Sequence, residues 1–131
     1  MLSIKKETDY AIRCVYYLAR RNGEIIMVDE IAAKMLIPRS FLAKIMQKLA
    51  KAGIVKSYVG IRGGHSLAKD PGSISLYEVI LTIEGPMAMN SCTIKKEECA
   101  LSAGCIVHPV WLSVKKDVEK VLSEKTFANI S

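Results

Sequence analysis

Two short amphipathic stretches separated by one tight link, followed at once by a glycine-tipped pair of β-prone runs, constrain this chain more than any other feature. Asp29–Met35 turns Ile31, Ala32 and Met35 to one helical side. After Leu36-Ile37-Pro38, a second helix runs from about Pro38 to Ala52, with Phe41, Leu42, Ile45, Met46 and Leu49 on its apolar side. Proline suits the head of a helix, where the first amides have no intrahelical partner. Gly53 stands where a left-handed C-cap belongs. Ile54-Val55-Lys56-Ser57-Tyr58 reads as a strand and His65-Ser66-Leu67-Ala68 as its return, around Val59-Gly60-Ile61-Arg62-Gly63-Gly64. Upstream, residues 8–21 repeat Ala11, Ile12, Val15, Leu18 and Ala19 at helical spacing and stop at Asn22-Gly23. Helix, short helix, tight turn, helix and hairpin is the element order of a winged helix-turn-helix.

Ser75–Glu84 forms a further helix, opened by a capping box of Ser75 and Glu78 and closed by Gly85-Pro86. From about Met87 to Ile106 no period is visible. A last helix begins at Pro109, where Trp111, Val114, Val118 and Val121 form a narrow seam of the kind that pairs with a second helix. The fold expected is mainly α with a small β-hairpin wing: a winged helix-turn-helix plus a long C-terminal dimerisation helix. It divides into a DNA-binding unit over residues 1–85, a cysteine-containing sensor loop over 86–107, and a dimerisation helix with tail over 108–131.

Charge sharpens this expectation. Residues 1–70 hold 13 Lys or Arg against 6 Asp or Glu, whereas residues 71–131 hold 6 against 7. All the excess positive charge of a +6 chain therefore sits with the hairpin and the helices before it, as a polyanion partner requires. No apolar run approaches the roughly 18 residues of a membrane span, and the opening Met1-Leu2-Ser3-Ile4-Lys5-Lys6-Glu7 is charged where a signal peptide is apolar. A cytoplasmic protein is expected. Paired carboxylates, a phosphate-cradling loop and a nucleophile elbow are all missing from the sequence, so an enzyme is not.

A major groove about 12 Å wide accepts one helix, whose outward side chains reach base edges. The helix from Pro38 offers Arg39, Ser40, Ala43 and Gln47 early and centrally enough to meet bases, with Ala43 leaving room for close approach. Lys44, Lys48 and Lys51 suit phosphates, and Arg62 at the hairpin tip suits a minor groove or the backbone. A lysine-rich face is usually only a solvated one. Order, spacing and charge together point to double-stranded DNA.

Cys92, Cys99 and Cys105 fall within 14 residues, while Cys14 lies alone in a helical stripe and reads as a packed side chain. Gaps of six and five residues do not match the two-residue spacing of zinc knuckles. By spacing alone an iron–sulfur cluster, zinc, thiol redox chemistry and incidental cysteines all stay open.

The blocks Ile37-Pro38-Arg39-Ser40-Phe41-Leu42-Ala43-Lys44-Ile45, Ala52-Gly53-Ile54-Val55-Lys56-Ser57 and Arg62-Gly63-Gly64-His65-Ser66-Leu67-Ala68-Lys69, then Ile83-Glu84-Gly85-Pro86 and His108-Pro109-Val110-Trp111, resemble the Rrf2 family of bacterial regulators, which has IscR-like and NsrR-like members. The wing departs from the family pattern, with Val59 and His65 where a basic residue and an aromatic are common. The resemblance implies a homodimeric transcription regulator on a palindromic operator. It also implies an iron–sulfur cluster on Cys92, Cys99 and Cys105. His108 matches the Cys-x-x-His arrangement of IscR-like 2Fe–2S sites, the preferred assignment; Asp9 resembles the aspartate that NsrR-like proteins lend to a 4Fe–4S cluster, and Glu7 is a third candidate. The alternatives are a metal-free regulator governed by thiol oxidation or a protein partner, and an iron–sulfur carrier that would not need the basic helix.

Overall fold

The computed structural model describes residues 3–87 and 106–130. Its first helix, α1 (Lys6–Arg20), starts two residues ahead of the expected stripe and buries Ala11, Cys14, Val15 and Leu18. Helices α2 (Val28–Met35) and α3 (Arg39–Lys51) follow within residues of the expected bounds. The link between them turns at Leu36, in the left-handed region at φ 55 and ψ 48, a conformation that costs a residue with a Cβ about 1–2 kcal/mol. Leu36 itself is exposed, whereas Ile37 beside it is buried and donates its amide to Ala32 O at 3.1 Å. Burial of Ile37 therefore holds the turn.

Gly53 closes α3 as expected. At φ +79 it donates to Ala50 O at 3.0 Å, and Ile54 donates to Leu49 O at 2.9 Å, the paired bonds of a Schellman motif. The hairpin is β1 (Val55–Tyr58) against β2 (Gly64–Leu67), antiparallel, with Val55 opposite Leu67 and Tyr58 opposite Gly64. β2 has a second neighbour that periodicity does not reveal. Ile26 and His65 exchange two backbone hydrogen bonds, both 2.8 Å, on the far side of β2. One bridge has no period to read, so the segment before α2 carries no strand signal.

Helix α4 (Leu76–Glu84) is capped by Ser75, whose Oγ accepts from the Glu78 amide at 3.0 Å. The expected capping box closes on this side only, because the Glu78 carboxylate accepts from Lys69 Nζ at 2.6 Å. A charge-assisted bond outweighs a return bond to an amide. Helix α5 (His108–Glu124) lies on α4, tied by Tyr77 OH donating to Glu119 Oε2 at 2.6 Å. The chain then returns: Leu76 donates to Lys125 O, Phe127 donates to Ile74 O, and the Phe127 ring enters the core at 5% exposure. Nothing local in the sequence marks Phe127 as core. Along the α5 seam Val114 and Val118 are half-buried, while Trp111 and Val121 remain exposed. Among the described residues, no helix is long and apolar enough to cross a membrane.

Candidate nucleic-acid interface

At 100° per residue, the outward side of α3 divides into stripes. Arg39, Ala43 and Gln47 form one, lining a groove of about 490 Å³ whose opposite wall is Ser57 and His65 of the hairpin. Ser40, Lys44 and Lys51 form the next, all exposed. Leu42, Ile45, Met46 and Leu49 face the core and are buried. This split follows from the sequence: the four core positions recur at three- and four-residue steps, so everything between them is turned outward.

The flank facing α1 differs from expectation at two positions. Phe41 is 38% exposed and packs edge-on against Tyr10 of α1, with ring centroids 5.2 Å apart, so it belongs to the side wall of α3 and not to its core stripe. Lys48 shares that wall and pairs with Glu7 of α1, Nζ to Oε1 at 3.2 Å, both side chains being at least half buried. Lys48 thus stands apart from Lys44 and Lys51, which have no carboxylate partner among the described residues. The same pair occupies Glu7.

Arg39, at the head of its stripe, pairs with Asp29 of α2 at 3.0 Å. Sequence reasoning passed over Asp29, because an acid in the first turn of a helix is already explained by the helix dipole. Arg62 is exposed at the hairpin tip, between Ile61 and the glycine pair. Gly63 is required there: a Cβ would lie 2.4 Å from Tyr58 O. His65, on the wall facing α3, has a buried Nδ1 with no hydrogen-bond partner among the described residues, and burial lowers its pKa. The ring is therefore held neutral at physiological pH.

Cys92, Cys99 and Cys105 lie outside the described residues. Of the remaining ligand candidates, Asp9 sits in the first turn of α1, half-exposed and paired with Arg13 at 3.1 Å. His108 opens α5, and its Nδ1 is buried with no hydrogen-bond partner among the described residues. Cys14 is packed in the core and its thiol is pushed up to about 12 by burial, so it stays protonated and unreactive.

The family model Rrf2, described as an iron-dependent transcriptional regulator, matches residues 4–131. A chain of Aquifex aeolicus carried under the name of an HTH-type transcriptional regulator is 35% identical over 123 residues, 92% of this chain and 85% of that one. Among solved structures, CymR, the global cysteine regulator of B. subtilis, superposes with a TM-score of 0.81 at 25% identity, over 98% of this chain and 95% of its own. IscR of T. potens does so with a TM-score of 0.78 at 27% identity, over 98% and 85%.

Proposed function

Because the chain belongs to the Rrf2 family of DNA-binding transcriptional regulators, we propose that it works as a homodimer on a palindromic operator under the control of an iron–sulfur cluster. Arg39, Ser40, Ala43 and Gln47 read bases; Lys44, Lys51 and Arg62 hold phosphates; Lys48 joins them only by leaving Glu7. The observation that carries the DNA face is the exposed Arg39–Ala43–Gln47 stripe opening onto the groove beside the wing. Trp111 and Val121, exposed along α5, are the surface for a second copy. Pairing there would set two reading helices about 34 Å apart, one DNA turn. Arg39→Ala or Gln47→Ala is expected to cost about 1–3 kcal/mol on the cognate site and to relax preference at one base pair. Unchanged operator binding by both variants would remove α3 from the interface.

The cluster would be held by the thiolates of Cys92, Cys99 and Cys105, with His108 as fourth ligand ahead of Asp9. The buried Nδ1 of His108, without a partner among the described residues, supports this order, since such an atom is costly unless a further group completes it, whereas Asp9 already has Arg13. When bound, a cluster supplies a centre that oxidants, nitric oxide or iron loss can alter. Residues 86–107 lie between the DNA-binding unit and the proposed dimerisation helix, so gain or loss there biases how two subunits present α3. Coupling of this kind is typically about 1–3 kcal/mol. Anaerobic reconstitution with iron and sulfide should give visible charge-transfer absorption, and Cys99→Ala should lose both colour and iron while keeping its helical content. Full iron content in Cys99→Ala would refute the ligand role. A colourless wild-type protein would favour the second reading, control without metal by thiol oxidation or a protein partner, which the likeness to the cysteine regulator CymR supports.

A further inference from the structure

Asp29 is out of place on a surface that meets phosphates. Its carboxylate oxygen Oδ1 lies 3.0 Å from Arg39 Nε, across the turn between α2 and α3, with both side chains largely exposed. Stabilising the start of α2 is the plain explanation for an acid here. The side chain does not serve as a cap, however: the N-cap is Met27, and among the described residues no side chain caps the helix. Asp29 is turned to the next helix instead. Helix α3 needs it, having no acidic residue in its first turn and a cation, Arg39, at the positive end of its dipole.

The contact also shapes what Arg39 can do. A guanidinium has five N–H donors in a rigid fork. Asp29 holds that of Arg39 by charge, its Oδ1 within ion-pair distance of Nε but without a hydrogen bond, while Nη1 and Nη2 have no hydrogen-bond partner among the described residues and match the O6 and N7 of guanine in the major groove. Val28 on one side and Tyr58, Gly63 and His65 of the wing on the other line the groove in which Arg39 sits, narrowing its sweep. We propose that Asp29 is a positioning residue for base reading: it aims the Arg39 fork at a guanine, and its negative charge disfavours duplexes that offer no such partner. This rests on the reading in which α3 enters the major groove.

The test begins with a duplex selected from a random pool by the full-length wild-type protein. Binding is then measured at one salt concentration for that duplex, for versions with each base pair replaced, and for a random duplex. Arg39→Ala identifies the position that Arg39 reads. Asp29→Ala is expected to reduce discrimination at that position about tenfold, leave the other positions unchanged, and hold or raise affinity for the random duplex. Asp29→Asn should lose discrimination much as Asp29→Ala does, because it keeps the size of the side chain but removes the charge that holds the guanidinium. In the Arg39→Ala background, Asp29→Ala should change nothing further at that position. Undiminished discrimination in Asp29→Ala overturns the proposal, as does an equal loss with and without Arg39. A role limited to holding α2 would lower the melting temperature and weaken every duplex alike, which also overturns it. Failure of the wild type to select any duplex strikes the DNA-reading assignment beneath it.

Discussion

Gly64→Ala is expected to destabilise the protein by about 3 kcal/mol or more and to release the wing from the body of the fold. A Cβ at this position would lie 2.4 Å from Ile26 O and 2.7 Å from Ile26 C, backbone atoms that cannot move aside without breaking the bridge they form with His65. The backbone at φ +156 adds strain for any residue with a side chain. Relief of the clash requires β2 to leave Ile26, giving up the two 2.8 Å hydrogen bonds that make it a central strand. Ile26 itself is a core residue. Operator affinity should therefore fall with stability. Gly72→Ala is the matched control: its added Cβ meets nothing nearer than the Ala128 Cβ at 3.8 Å, and its φ lies outside the left-handed region. Lower chain entropy in the unfolded state should make that variant neutral or stabilise it by about 0.4–1 kcal/mol. Denaturant midpoints of the two proteins should shift in opposite directions or differ by most of the Gly64→Ala loss. Equal midpoints would mean that the bridge to Ile26 contributes nothing.

Operator affinity should also fall about a thousandfold as monovalent salt rises from 50 to 200 mM. Lys44, Lys51 and Arg62 are exposed and have no carboxylate partner among the described residues. In the proposed dimer the three side chains of each copy would together neutralise about six phosphates. The log–log slope is about −0.9 per phosphate on duplex DNA, and six such contacts over a fourfold salt range give the thousandfold change. Lys51→Ala should flatten the slope by about two per dimer and leave sequence preference intact. Gln47→Ala should do the reverse. Lys48→Ala separates the flank from the face: Lys48 is held by Glu7, so its removal should alter the slope less than that of Lys51 while costing stability, because Glu7 is left partly buried without a partner. A slope near zero, or Lys48 and Lys51 variants with the same slope, would place the binding surface elsewhere.

Helix, turn and hairpin were legible because their causes are local. Apolar residues at three- and four-residue steps declare α1, α3 and α4, and Gly53 declares the end of α3 because the left-handed cap favours glycine. The outward stripe of Arg39, Ala43 and Gln47 follows from the same arithmetic. The Ser75 cap was visible too, but only half of its box forms, since Lys69 arrives from the preceding segment to claim Glu78. For the cysteine cluster, spacing left several chemistries open, and its three members lie outside the described residues.

Periodicity and cap chemistry are properties of neighbours in the chain, so sequence alone determined which helices exist, which stripe of α3 carries Arg39, Ala43 and Gln47 outward, and where the positive charge gathers. Pairings between distant residues leave no such periodic trace. Lys48 is lost from the outward face to Glu7, 41 residues earlier; Asp29 reaches Arg39 across a turn; Ile26 widens the wing sheet; and Phe127 fills the core from the far end of the chain. Only the packed structure decided these, because a side chain's partner is chosen by proximity in space, which exists once the helices have docked.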